Sequence, residues 1–400
     1  MDSLAEQYVR LTLAVGQHDP DYVDAYYGPA EWKPGDRKIS LDEIGSQVNE
    51  LQRQLGTVPT TPDEMLGLRR QYLTKQSSAM AARVRMLNGE RLSFDEEARA
   101  LYDANVPTLH ESHFQGVLDQ LDRRFPGKGA LVDRYEAYRL GFVIPKERLD
   151  RVFTTAITAC RERTARHLTL PAGETFTVEY VTGKSWSGYN WYQGGSRSLI
   201  QVNTDLPIYI DRAVDLACHE GYPGHHVYNA LLEQSLVKDR GWIEFTVYPL
   251  FSPQSLIAEG TANYGIEMAF PGEERLRYEE QVLFPAAGLD PVKAREYYEV
   301  QGLVEKLAYA GNEAARRYIN KEIDASQAAA ALEKYALMPR ARAEQRVRFF
   351  DQYRSYVINY NLGKDMVRNY IEERAGRDAG KRWAEFGRLL SSPRLPSGLQ

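Results

Sequence analysis

A mainly α fold carrying one small antiparallel β-hairpin is what this sequence predicts, and three observations carry the prediction. Apolar residues recur at three- and four-residue intervals over most of the chain, the signature of amphipathic helices. Short Gly/Pro breaks such as YYGPAEWKPGD and RRFPGKG separate those stretches. One region alone, 171–206, has the Thr, Val and aromatic enrichment and the period-two alternation of strands. The 400 residues, 43% apolar and 26% charged, suffice for a large core. Neither a repeat nor a low-complexity linker marks a boundary, so 1–400 reads as one helical domain with a small β insert at 171–206.

From Leu4 to Arg166 the pattern predicts successive helices; EMLGLRRQYLTKQSSAMAARVRML, for example, sets apolar residues between charges and so pairs a buried stripe with a wet face. After Pro171, TFTVEYVTG and SRSLIQVNT are the predicted strands. Between them, KSWSGYNWYQGG is expected to be a hairpin connection or a loop over a surface. Beyond Pro207 the helical pattern resumes, and AEQRVRFFDQYRSYVINYNLGKDMVRNYIEERAG is expected to form one long helix.

Fifty basic and 55 acidic side chains give a net charge of -5, which disfavours nucleic acid as a partner. No apolar run reaches the roughly 18 to 20 residues that span a bilayer, so no membrane partner is expected. The start, MDSLAEQYVR, has neither a basic nor an apolar leader region, and only Cys160 and Cys218 are present; a cytoplasmic, reducing location is the expectation.

Three of the seven histidines fall in DLACHEGYPGHHVYNALLEQ: His219, His225 and His226. His followed by Glu is half of the H-E-x-x-H signature, in which two imidazoles one helical turn apart bind zinc and the glutamate polarises water. The match is imperfect, because Pro223 stands where the second histidine belongs. On an unbroken helix His225 would lie about 120° round from His219, and His226 about 10.5 Å along the axis. Proline lacks an N–H and clashes with the preceding turn, and glycine tolerates unusual dihedrals, so Pro223-Gly224 predicts a bulge. Looping out that pair restores one-turn spacing to His225, the expected second ligand; His226 is the alternative. Glu259 in SLIAEGTANYGIEMAF is the expected third ligand, with Asn263 and Glu267 on the same helical face as acceptors for the imidazoles' second N–H.

HEGYPGHH, followed by EGTANY and preceded by GGSRSLIQVNTDLP, resembles the bacterial domain-of-unknown-function family numbered eight-eight-five, over most of the chain. Proteins of that family are similar in fold to the mainly helical zinc carboxypeptidases of the Taq type. The resemblance implies a zincin-like fold of the gluzincin kind. It makes His219 and Glu259 zinc ligands, Glu220 the general base, and one of His225 and His226 the remaining ligand. Where many members carry Trp after Glu-Gly, this chain has Thr261, which bears on the shape of the pocket. YVINYNLGKDMV resembles the family's Tyr-containing helix segment and places Tyr360 as a second catalytic side chain.

The expected function is therefore that of a zinc-dependent metallopeptidase, carboxypeptidase-like, acting on short peptides or small amides. Glu220 would move the proton and Tyr360 would donate to the oxyanion. Arg354 is a candidate for holding a substrate carboxylate. The SRSLIQVNT strand is a candidate edge for an extended peptide, with Gln201 and Asn203 lining the cleft. An amidase or esterase using the same zinc, and a non-catalytic helical scaffold, are the rival readings. His110, Glu111 and His113 in TLHESHFQG read as cap or interface residues, and Cys218 as a buried inert thiol.

Overall fold

The computed structural model describes residues 1–35 and 38–399; the YYGPAEWKPGD break ends at Asp36, outside them. The fold is mainly α. Helices Asp2–Gly16, Leu41–Thr57, Glu64–Leu87, Phe94–Tyr102, Glu111–Arg124, Leu131–Arg139 and Leu149–Ala165 account for most of the first half. Their starts follow from local chemistry: Ser40 and Asp63 accept from backbone N–H groups of the first turn, and Ser93 forms a reciprocal capping box with Glu96. Each such cap contributes roughly 1 kcal/mol. A large core cluster joins both halves of the chain, from Tyr8 and Leu51 to Ile371 and Phe386. A smaller cluster around Phe114, Leu121, Tyr135, Val300 and Leu307 packs beside it.

Among the described residues there are five strands: β1 (Val23–Tyr26), β2 (Thr175–Val181), β3 (Gly188–Gly194), β4 (Arg197–Asn203) and β5 (Val247–Pro249). The antiparallel hairpin is β3–β4, turning through Gly194, Gly195 and Ser196, all at positive φ. The sheet order is β2-β4-β3, with β2 parallel to β4. Three expectations are corrected here. GYNWYQG is a strand in its own right rather than a loop; its inward positions are Asn190 and Tyr192, whose polarity hides the usual apolar alternation. β4 is the middle strand, so it has no free edge; the edge beside the site belongs to β3. β1 interrupts the helical first half and pairs with β5 across more than 200 residues, a contact with no local signal.

The long C-terminal helix is also broken. It runs Arg340–Tyr353, then resumes as Ile358–Ala375 after a tight turn in which Arg354 has φ of 51°. The cause is tertiary: the buried Glu97 carboxylate accepts from Arg354 Nε at 2.6 Å, from Ser355 Oγ at 2.6 Å and from Ser355 N at 3.1 Å. A buried carboxylate with three donors offsets the lost helical bonds.

At the centre lies helix Pro253–Ala269, buried on almost every side. It meets Ile358–Ala375 backbone to backbone at Gly260 and Gly363: a Cβ on Gly260 would lie 2.5 Å from the Gly363 carbonyl oxygen. That close approach brings Glu259 and Tyr360 to the same end of the two helices.

Candidate metal centre

His219 and Glu220 lie on the turn Ala217–Gly221, which extends helix Asp211–Leu216 with wider, π-type spacing. Tyr222 N bonds Ala217 O and Gly224 N bonds Cys218 O, and a new helix, His225–Leu232, follows. The Tyr222-Pro223 peptide is cis. The expected bulge inside one helix is thus a break between two. Gly224 is required there, since a Cβ would fall 1.9 Å from the His219 carbonyl oxygen. Pro223 packs on Gly265 of the central helix, locking the two helices against it.

The break turns His225 back toward His219. Their Nε2 atoms are 3.1 Å apart, and Glu259 Oε2 lies 3.2 Å from His219 Nε2 and 3.6 Å from His225 Nε2. These three side chains could hold a metal ion. A tetrahedral site with bonds of about 2.0–2.1 Å has edges of about 3.3–3.4 Å, so the three distances fit three corners around one centre. A second observation agrees. Glu259 Oε1 accepts from the Tyr356 hydroxyl at 2.8 Å, whereas buried Oε2 accepts no hydrogen bond. A buried carboxylate oxygen without a donor is costly unless a cation faces it.

The electrostatics favour a cation. Burial opposes charge on His225, but the carboxylates of Glu259, Glu220 and Asp24 outweigh it and raise the imidazole pKa to about 9. Burial likewise opposes ionisation of Glu259, yet the two imidazoles hold its carboxyl well below the usual range. The field that draws a proton to His225 also draws a divalent ion.

Glu220 sits beside this triad, buried, with Oε1 4.0 Å from His219 Nε2. Burial raises its pKa, with Glu259 adding to the effect and the imidazoles opposing it. β3 positions it: Asn190 Nδ2 donates to the Glu220 carbonyl at 2.7 Å, and Gly188 lies against the carboxylate, leaving no room for a Cβ. The ring of Tyr360 lies 6.4 Å from that of His219, near parallel, and lines the same cavity of about 500 Å³.

His226 is not part of the triad. It is buried, with Nδ1 2.9 Å from Ser198 Oγ and Nε2 3.0 Å from Glu174 Oε2. It ties the start of helix His225–Leu232 to β4, leaving His225 as the imidazole that meets His219.

Other expected residues have different surroundings. Asn263 Nδ2 donates to the backbone oxygens of Glu259 and Tyr360, at 3.0 and 3.3 Å, so it fixes the two helices rather than an imidazole. Glu267 pairs with Lys364 at 2.7 Å and with Arg368 at 2.5 Å, facing away from the histidines. Gln201 lies on the outer face of the sheet between Trp191 and Glu179, which sit on the flanking strands. Asn203 is buried, and its amide holds the Lys184 and Trp186 carbonyls; it shapes the loop that walls the cavity without lining it. Arg354 is committed to Glu97 outside the cavity. Apart from the bond of Asn263 to the Glu259 carbonyl one turn back, these partners lie ten or more residues away in sequence. Thr261 bonds back to Ile257 O and Ala258 O inside the core and leaves the cavity wall to other residues.

The remaining candidates stay structural. His110 is the N-cap of helix Glu111–Arg124, and Glu111 binds Tyr335. Cys218 and Cys160 are buried thiols with Sγ atoms 2.7 Å apart, and burial and their mutual contact push the Cys218 thiol well up. Sequence reasoning missed Tyr356, Gly188, Asn190 and Asp24. Only the one-turn spacing of Tyr356 and Tyr360 could have singled out the first.

No protein-family profile matches the chain, and no curated protein matches it. Among solved structures it is similar to "the putative lipoprotein from Colwellia psychrerythraea", at 17% identity and a TM-score of 0.52, over 92% of this chain and 69% of that one. A "putative lipoprotein of unknown function from Shewanella oneidensis" aligns at 15% identity and a TM-score of 0.49, over 90% and 73% of the two chains. The structure called BsuCP aligns at 11% identity and a TM-score of 0.46, over 98% and 89%. The first likeness concerns the fold alone. No helix among the described residues is long and apolar enough to cross a membrane.

Proposed function

We propose that this protein is a zinc-dependent metallohydrolase that cleaves short peptides. The observation that carries the reading is the convergence of His219, His225 and Glu259 at tetrahedral-edge distances, with the Glu220 carboxylate alongside at the floor of the cavity. Two imidazoles and one carboxylate, with no thiolate, are the donors of catalytic rather than structural zinc sites. Zinc bound there would supply Lewis acidity toward a carbonyl and lower the pKa of its water from about 15.7 in bulk to roughly 7.

The chain's own groups account for the rest. Glu220 takes the proton of the attacking water at its carboxylate and returns it to the leaving amine, its position beside His219 placing it within reach of both. The Tyr360 phenol, kept protonated by burial and by Glu259, donates a hydrogen bond to the oxygen that gains charge. Edge strand β3, with Gly188 and Asn190 lining the cavity, is where an extended peptide would add its backbone. The compartment we propose is the cytoplasm, on the strength of the two buried thiols.

The test is zinc content together with hydrolysis of a mixed short-peptide panel. Wild type should carry about one zinc and cleave. Glu220→Gln should keep the zinc and lose turnover by roughly 10²-fold or more. A wild type that binds no zinc, or a Glu220→Gln variant with unchanged turnover, would overturn the reading.

A further inference from the structure

The cavity has two electrostatic halves, the acidic metal centre and an arginine-bearing wall. Helix Arg340–Tyr353 sends Arg342, Gln345, Arg346, Phe349 and Tyr353 along the opposite wall at three- and four-residue spacing, and Arg139 joins them. Arg346 has its guanidinium carbon 4.6 Å from the Phe349 ring centre and 5.5 Å from that of Tyr360. Arg139 stacks on Tyr209 at 3.7 Å, and Arg342 faces the same ring at 5.7 Å.

None of these three arginines forms an ion pair among the described residues. Nε of both Arg139 and Arg346 is buried without an acceptor, and Arg342 donates only to the Pro207 carbonyl, at 2.7 Å. Of the nearby acids, Asp215 is paired with Arg275 and Arg212, while Glu136 and Asp211 accept from the Tyr209 and Tyr297 hydroxyls and act on the Arg139–Arg342 pair without direct contact. Burial and the neighbouring Arg139 guanidinium push the Arg342 pKa below its ordinary value, as crowding of like charges must. Half-buried cations without a directly contacting anion are costly, and planar guanidinium groups presented together are suited to paired carboxylate recognition.

We propose that this wall is a carboxylate-binding subsite, and that the cavity selects substrates whose last residue is glutamate or aspartate. Arg346, nearer the metal centre, takes the terminal carboxylate, and the Arg139–Arg342 pair takes the side-chain carboxylate. Arg342 and Arg346 are one helical turn apart, about 6 Å along the axis, so one acidic residue with a free terminus presents two anions on the right scale. Hydrolysis of the bond before it breaks C–N, adds hydroxyl to the acyl carbon and hydrogen to the amine, and releases the free acidic amino acid. This selectivity rests on the hydrolase reading; the subsite itself does not.

Two measurements separate them. On zinc-loaded protein, peptides differing only in a final Glu or Gln should differ by about tenfold or more in kcat/KM, the scale of a charge-assisted pair. Arg139→Met/Arg342→Met should bring that ratio to about one, while Arg348→Met, on the exposed face of the same helix, should preserve it. Independently of turnover, glutarate should raise the melting temperature of the zinc-loaded protein, glutaramide should not, and the double variant should lose the shift. A glutarate shift without any peptide cleavage would uphold the subsite and remove the peptidase. Cleavage of Glu and Gln peptides at equal rates, or a glutarate shift that survives in the double variant, would overturn the subsite.

Discussion

Tyr356 donates its hydroxyl to Glu259 Oε1 at 2.8 Å, and by doing so turns the other oxygen of that carboxylate toward His219 and His225. The phenol sits one turn before Tyr360 and is buried. Partners of this kind typically contribute 10- to 100-fold in metal affinity. Tyr356→Phe should therefore weaken zinc binding by about that factor in a chelator competition, with the fold intact. Affinity equal to wild type would mean that Glu259 is oriented by its packing alone.

Gly188 tests the base without touching the ligands. A Cβ there would lie 2.9 Å from Glu220 Oε1 and 2.8 Å from Leu216 Cδ2, both ends of side chains that can swing away. The fold should tolerate Gly188→Ala, but the carboxylate must move, and a misplacement on the order of 1 Å costs about 10²-fold. The expected result is retained zinc, an almost unchanged melting temperature and a loss confined largely to kcat. A loss in KM alone would instead assign Gly188 to substrate binding.

What could be read from the sequence, and what could not, divides along physical lines. Helical periodicity, the strands β2 and β4, and the candidate donors His219, Glu220 and Glu259 are all local patterns. The preference for His225 over His226 also rested on local chemistry, because Pro223 and Gly224 interrupt the helix between His219 and His225. The break at Arg354, the pairing of β1 with β5 and the position of β4 in the middle of its sheet depend on partners remote in sequence. Gln201 and Asn203 were misassigned for the same reason: alternation says which residues share a face, but not which strand is the edge. Asn263 and Glu267 do share the face of Glu259, yet the neighbouring helix Ile358–Ala375 supplies their partners.

That neighbouring helix makes Gly260 a stability determinant. Its Cβ would meet a backbone carbonyl rather than a movable side chain, so the two helices must part. Overpacking of this kind costs about 1–3 kcal/mol. Gly260→Ala should lower the unfolding free energy by that amount, read as a fall in the urea midpoint at unchanged m, and, because Glu259 is its neighbour in the chain, weaken zinc binding as well. A midpoint equal to wild type would mean that the helices separate freely there.

Glu279 gives the pH dependence of stability away from the metal centre. It is fully buried, both of its oxygens lack a hydrogen-bond partner, and Arg275 Nε approaches only to 3.6 Å while pairing more closely with Asp215. Burial dominates and raises its pKa to about 8, against the pull of Arg275. In the unfolded chain this carboxyl titrates near 4.3. Between those values the folded state holds a proton that the unfolded state has lost, so stability falls as pH rises. The contribution is complete below the unfolded value and gone above about 8. Glu279→Gln mimics the protonated form and should flatten the decline in urea midpoint from pH 5 to 8.5, leaving the variant the more stable protein at the alkaline end. If the two proteins lose stability in parallel over that range, Glu279 is ionised in the fold and Arg275 is its counter-ion after all.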